Sequence, residues 1–297
     1  GDVRGPIALV ADVTGTLTNS SAAPITIDAA GAPSAIALSG IPEGSAVIID
    51  GLTLRGGVTA GLSVDSSPGT TVQNCVIAHN QGDGVLLTAS GGGGVFNNLI
   101  FGNSGAGIRA LGSDQTRLIN NTVYGNTDVG IVIGDAQRPS PNAEVENNIV
   151  NMNRPVGIAV DPNSITGYRA DYNLNTDGYA AGVPLGAHDR MTDPQFMLPT
   201  GLAPDFHLAA GSRAIYAGDP ATAANLAGLL QPGTTQESGV PDCYFVDLGY
   251  HYPASIKCAA PTPTPPTTPI AKKTPKPKPP KPTKKPKKPK PTKIPKH

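Results

Sequence analysis

Residues 118–134 read LINNTVYGNTDVGIVIG, and residues 95–112, beginning 23 positions earlier, read VFNNLIFGNSGAGIRALG. The phrase extends beyond these two copies. Gly61, Gly84, Gly107 and Gly130 stand 23 apart, and Gly157 follows after 27. Asn74, Asn97, Asn120 and Asn147 keep the same steps, as do Asn80, Asn103, Asn126 and Asn153. Three columns that share one period and one four-residue insertion define an internal repeat.

The period selects the architecture. Helical repeats run about 33 to 47 residues and need apolar faces of period 3.6. Here each glycine opens a short run rich in Val, Ile and Leu: GLSV, GVLL, GIRA, GIVI, GIAV. Its first and third following residues are mostly apolar and the one between varies, which is the period of a strand. A second strand leads into each Asn-Asn pair through Val72, Val95, Leu118 and Val145. Three short strands and three turns in about 23 residues make one coil of a parallel β-helix, with like residues stacked roughly 4.8 Å apart. The leucine and asparagine spacing of a leucine-rich repeat is absent. Asn suits stacked turns because it tolerates left-handed backbone and its amides can bond along the stack. We therefore read Asn74, Asn97, Asn120 and Asn147 as structural columns. Which Asn of each pair points inward is open, because the turn resets strand parity.

Charge divides the chain. Residues 1–260 hold all 22 acidic residues and ten basic ones, nine Arg and Lys257, whereas residues 261–297 hold twelve Lys and no acid. The formal charge of zero is thus −12 on the body against +12 on the tail. The tail is Pro/Lys-rich and cannot bury a core, so we expect a disordered, extended stalk. It is either a spacer or an anchor to a polyanion such as a wall polymer. Nucleic acid is not expected as a partner, since no aromatic residues interleave with the lysines. No run of apolar residues is long enough to span a membrane. No leader is recognisable and Gly1 is not a natural start, so we expect a mature form or a fragment. The organisation expected is first irregular coils over 1–46, regular coils over 47–180, a C-terminal capping segment over 181–260 and the tail over 261–297. Cys75 occupies the position of Asn98, Asn121 and Asn148 and reads as a stacked, inert thiol. Cys243 and Cys258 read as a disulfide, with free thiols as the alternative. A disulfide there implies an oxidising, extracellular setting.

After Val160 the period fades. Residues 193–220 read DPQFMLPTGLAPDFHLAAGSRAIYAGDP, and residues 247–252 read DLGYHY. The coil phrases resemble the parallel β-helix repeats of the pectate-lyase-like superfamily. The later D-P-x-F, D-F-H-L, G-S-x-A-I-x-A-G-D and D-L-G-x-x-Y pieces resemble bacterial secreted β-helix proteins of the choice-of-anchor Q type. Together the resemblance covers roughly residues 25–252. It implies an all-β, right-handed parallel β-helix solenoid with an irregular C-terminal cap, and extracellular or cell-surface residence. It implies no single activity, because the superfamily includes lyases, hydrolases and epimerases of acidic polysaccharides beside adhesins.

Candidate chemistry is sparse. Asn175-Thr176-Asp177-Gly178 resembles the first motif of polygalacturonases, whose carboxylates protonate the leaving oxygen and activate water. The Asp-Asp, Gly-His-Gly and Arg-Ile-Lys pieces that accompany it in that family are absent here. A pectate lyase needs stacked carboxylates for Ca²⁺ and a base. The candidates Asp65, Asp83, Asp135 and Asp161 do not share one column, so Ca²⁺ is conceivable but unsupported by a ligand cluster. No other cofactor or metal is indicated. Arg109 reads as an outward residue with no carboxylate directly above or below. His188, Asp189 and His207 have no metal-ligand spacing, and at these positions the resemblance implies structural roles. The insertion Asp135–Asn142, DAQRPSPN, projects from a turn and is either a tolerated loop or part of a binding face.

Tyr168, Arg169, Asp171 and Tyr172, with Asp177 nearby, form the best sugar-facing candidate, since aromatics and Arg suit acidic glycans. The same cluster is alternatively the core joining the helix to its cap. The expectation is a monomeric surface solenoid that binds polysaccharide or another surface, with no catalytic set identified. The rival is an enzyme on acidic polysaccharide, lyase before hydrolase. A purely structural spacer or adhesin is the third class.

Overall fold

The computed structural model describes residues 2–10, 15–19, 23–225, 233–239, 241–242 and 246–253. Cys243, Cys258 and the Pro/Lys-rich tail lie outside the described residues. Three parallel sheets wind along one axis. The first has eight strands, from Asp2–Arg4 to Leu174–Asn175. The second has seven, from Ile7–Val10 to Ile158–Val160, and the third has seven, from Gly15–Thr18 to Arg169–Asp171. Each regular coil supplies one strand to each sheet, which is the arrangement expected of a 23-residue β-repeat. Among the described residues no helix is long and apolar enough to cross a membrane.

Register follows the periodic columns. Leu62, Val85, Ile108, Ile131 and Ile158 are successive partners in the second sheet. Val72, Val95, Leu118 and Val145 are partners in the third. All nine are buried. Each such side chain contributes about 1.5–3 kcal/mol on leaving water, and stacking makes the contribution recur coil after coil. The repeat glycines serve this packing. A Cβ on Gly107 would lie 2.7 Å from the carbonyl of Gly130 and 3.0 Å from the Asn126 amide, so close approach of coils explains the glycine there.

Three ladders of buried polar side chains run up the corners. In the first, Asn98, Asn121, Asn148 and Asn173 point inward. The Asn121 carboxamide oxygen accepts both the backbone N–H and the amide of Asn98, each at 3.0 Å. Its own amide donates to Val95 O at 2.8 Å and to the Asn148 oxygen at 3.0 Å. The second ladder runs through Asn80, Asn103, Asn126 and Asn153 in the same way. The third is made of hydroxyls. Ser67, Ser90, Ser113 and Ser140 each donate their backbone N–H to the serine one coil on, ending at Ser164. The serine corner was not evident from the repeat columns. Cys75 heads the first ladder, buried and free. Burial pushes its thiol up to about 12, in keeping with an inert stacked group.

The first Asn of each pair therefore has a different task. Asn74, Asn97, Asn120 and Asn147 have φ of 55°, 52°, 57° and 57°, the left-handed turn that Asn tolerates. Their side chains face the returning C-terminal segment. Asn97 accepts from His251 N at 2.6 Å and donates to His251 O at 3.1 Å. Asn120 donates to Asp247 O at 3.1 Å, and Asn147 accepts from Asp219 N at 2.9 Å.

The chain after the last full coil has two parts. Tyr179, Ala180 and Val183 pack against the end of the solenoid core, and residues 179 and 190 continue the sheets as single bridges to Ile158 and Leu174. The chain beyond lies along the outer face of the first sheet. Phe206 and Tyr250 bury Leu99, and Leu208, Ala214, Ala217 and Leu248 bury Ile149 and Leu174. The outer face of that sheet is apolar, so it needs cover.

This flank contains a buried polar knot. His251 Nε2 lies 2.9 Å from Asp242 Oδ2, with both side chains buried. Asp247 accepts from Tyr216 N at 2.6 Å and from the Thr235 hydroxyl. Burial, reinforced by Asp242, pushes Asp247 up to about 6. A carboxyl raised in the folded state favours its protonated form there. Its contribution to stability is full below about pH 4 and is lost as pH rises through about 6. Relative to Asp247→Asn, the natural chain should lose stability as pH rises from about 4 to 7, measured as the difference in urea-unfolding free energy. The ladder makes a second prediction. Asn121→Ala strands the Asn98 backbone N–H, which donates to the Asn121 oxygen, and should cost about 1–3 kcal/mol, read from the same unfolding curves.

Candidate functional site

The third sheet presents an outward column at the first position of each late strand. Thr71, Gly94, Arg117, Glu144 and Arg169 are successive register partners. Inward residues alternate with them, so Leu118, Val145 and Ala170 hold the strands to the core while Arg117, Glu144 and Arg169 face out. Along one side runs a column of turn residues, Gly92, Gln115, Asn142 and Gly167, all with positive φ. Arg117, Glu144 and Arg169 of the first column, the turn column and Tyr168 line an open trough of about 720 Å³.

The charges in the trough are ordered. Arg117 Nε donates to Glu144 Oε2 at 2.6 Å. Arg169 Nη2 stands 3.7 Å from Glu144 Oε1. The Glu144 side chain is 17% exposed, Arg117 42% and Arg169 73%. Phe96 braces the lower end: its ring occupies the space a Cβ on Gly94 would take, and the Arg117 guanidinium sits 5.5 Å from the ring centroid. The turn side is polar, with Asn142 donating to Asp114 at 2.8 Å. The far side is acidic. Glu146, in the neighbouring outward column, accepts from Thr222 of the short helix Pro220–Asn225 at 3.0 Å, and the same hydroxyl reaches Asp219 at 3.3 Å. Burial pushes the Glu146 carboxyl up, with Glu144 and Asp219 adding repulsion against the Thr222 hydrogen bond.

The residues singled out from sequence separate into different roles. Arg169 lies in the trough. Tyr168 packs against the solenoid core, and its buried hydroxyl has no hydrogen-bond partner among the described residues. Burial raises it well above a free phenol. Asp171 clamps the last coil, accepting from Tyr172 N and His188 N and pairing with the His188 ring at 2.9 Å. Burial acts to raise its carboxyl, but these hydrogen bonds hold it below the usual range. Tyr172 stacks on His188 with centroids 4.3 Å apart.

Asp177 ends the second Asn ladder. It accepts from Met152 N, Asn153 N and the Asn153 amide at 2.7, 2.8 and 3.0 Å. Asp189 ends the first ladder in the same manner, accepting from Asn173 N at 2.8 Å. Both carboxylates supply acceptors to donors that have no further Asn above them.

Other sequence candidates also find partners. Arg109 has Leu86 and Val132 as register partners, so no carboxylate stands directly above or below it, and it reaches sideways to Asp83 and Asp128, each at 2.8 Å. Asp135 closes the insertion on itself through Gln137 N, Arg138 N and the Arg138 side chain. The far end of that insertion, Asn142, borders the trough. His207 pairs with Asp205 and stacks on Tyr252. Among the described residues no group of three or more His, Cys, Asp or Glu is placed to hold a metal ion.

Sequence reasoning missed Arg117 and Glu144. The signal was present: Arg117 and Glu144 are 27 apart, the step that also relates Asn120 to Asn147 across the insertion. For the ladder terminus, Asp177→Ala should lower unfolding free energy by about 1–3 kcal/mol. Asp177→Asn should recover only part of it, because its amide offers a single acceptor; chemical denaturation of the two variants is the check.

The family described as "Right handed beta helix region" matches residues 39–192. No curated protein matches the chain. Among solved structures, the chain is similar to the pectate lyase Pel9A at 13% identity and a TM-score of 0.31, over 73% of this chain and 83% of that one. It is similar to the A-module of the mannuronan C-5 epimerase AlgE4 from Azotobacter vinelandii at 14% identity and a TM-score of 0.31, over 61% of this chain and 58% of that one.

Proposed function

We propose, on the premise that the chain belongs to the right-handed β-helix family, that it is an extracellular or cell-surface protein that binds an acidic polysaccharide along the trough over Arg117, Glu144 and Arg169. The observation that carries this reading is the pair of outward guanidinium groups in one register column, at the floor of an open trough. A guanidinium presents a planar fork of donors that matches a carboxylate. The trough runs along the solenoid axis, so an extended polymer laid in it meets one sheet position about every 4.8 Å. Its openness suits the middle of a chain.

The surroundings set the character of the binding. The body carries 22 acids against ten basic residues, so its long-range field opposes a polyanion. On the body, attraction must come from contact with the two arginines, while the twelve lysines of the tail attract any polyanion without reference to the trough. The trough's share of the binding, read as the difference between the natural chain and the double arginine variant, should depend on salt less than the tail's share does.

The test is titration of the full chain with acidic and uncharged polysaccharides, followed calorimetrically. Arg117→Ala and Arg169→Ala should each weaken binding to the acidic polymer by about 1 kcal/mol, about five-fold. Titrations are run at high salt, which screens the exposed tail lysines, and binding unchanged in the double variant there removes the trough as the site. Analysis of the same mixtures for unsaturated ends and new reducing ends, with and without Ca²⁺, separates retention of the polymer from its turnover.

A further inference from the structure

We infer that the trough selects a polysaccharide in which charged and uncharged sugars alternate. This deepens, and rests on, the reading of the trough as an acidic-polysaccharide site. Three consecutive coils place Arg117, Glu144 and Arg169 in one column, so the charge order along the axis is plus, minus, plus. Two inter-strand steps separate the arginines by about 10 Å. A pyranose linked through opposite ring positions advances by close to one such step. Successive sugars therefore face Arg117, Glu144 and Arg169 in turn.

A polymer charged at every sugar has no favourable placement. The carboxylate of its middle sugar would face Glu144, which is held by the 2.6 Å bond from Arg117 and cannot swing clear without breaking it. If successive sugars are turned over, as in a flat ribbon, alternate carboxylates move to the edges. The edges carry Asp114 on one side and Glu146 with Asp219 on the other. Like charges brought together in this way cost affinity and exclude the wrong partner. An uncharged sugar at the middle position instead offers hydroxyl donors to Glu144. One coil below Arg117 the column continues as Gly94 overlaid by the Phe96 ring, again an uncharged position. The floor of the trough itself reads cationic, anionic, cationic, matching a uronate at every second sugar.

The experiment compares three probes of equal length on the full chain: an oligosaccharide of alternating glucuronate and N-acetylglucosamine, a homo-oligogalacturonate, and an uncharged oligosaccharide. At high salt, which screens attraction of the charged probes to the tail lysines, the alternating probe should bind about tenfold more tightly than the homopolymer, and the uncharged probe should bind least. Glu144→Gln keeps an acceptor for Arg117 but removes the charge, and should narrow the gap by tightening the homopolymer at least about five-fold. Thermal unfolding verifies that this variant is folded. If the homopolymer binds as tightly as the alternating probe while the arginine variants still weaken both, the selectivity is wrong and the trough stands. If Glu144→Gln is folded and leaves the ratio unchanged, Glu144 is not the discriminator and the inference fails. If no probe binds, or the arginine variants change nothing, the underlying site reading fails with it.

Discussion

The inward ladder of asparagine side chains is the constraint on which the rest of the molecule depends. A buried amide left without partners costs about 1–3 kcal/mol per group. Here each amide is satisfied by the backbone of its own coil and by the amide of the next. The bonds close only when successive coils are in register, so the ladder converts hydrogen-bond satisfaction into alignment. Apolar stacking alone would stabilise a slipped coil nearly as well, since one Val, Ile or Leu replaces another at little cost. The ladder makes slippage expensive, because it strands both donors and acceptors.

Alignment is what turns scattered charged residues into a site. Arg117, Glu144 and Arg169 come from three strands, and in sequence only their spacing relates them. They share a column because the ladders at the corners hold the strands between them in step. The insertion at Asp135–Asn142 tests this directly. Four extra residues enter one turn, yet Ser140 still receives the Ser113 N–H and Asn148 still receives that of Asn121. The surplus chain is absorbed outward, where Asp135 and Arg138 close it on themselves, and the coils on either side remain in register. The same tolerance lets Asn142 reach the trough rim.

The ends of a ladder are where the repeat must stop, and this fold stops it with carboxylates. The last Asn of each ladder retains donors that need acceptors, and an ionised Asp supplies acceptors without adding a donor of its own. Asp177 and Asp189 therefore lie where sequence motifs of catalytic or metal-binding appearance occur, yet the geometry gives them structural partners. The flank segment follows a related rule. The left-handed asparagines of the Asn-Asn turns expose amides to the side, and the returning chain at Asp247–His251 saturates them while its aromatic residues cover the apolar sheet face.

The solenoid itself was determined by sequence alone. Its period and its inward Val, Ile and Leu columns follow from local spacing, because each coil repeats the same short-range pattern. Three things were decided only by tertiary structure. The inward member of each Asn pair depends on a left-handed turn that resets strand parity. The second half of the C-terminal segment lies on a flank through contacts more than 120 residues apart in sequence, such as His251 with Asn97 and Tyr250 with Thr122. The trough column joins residues 27 and 25 apart, steps that depart from the 23-residue period. Local pattern encodes what repeats. The charged column is written once, across irregular steps, and only the stacked coils bring it together.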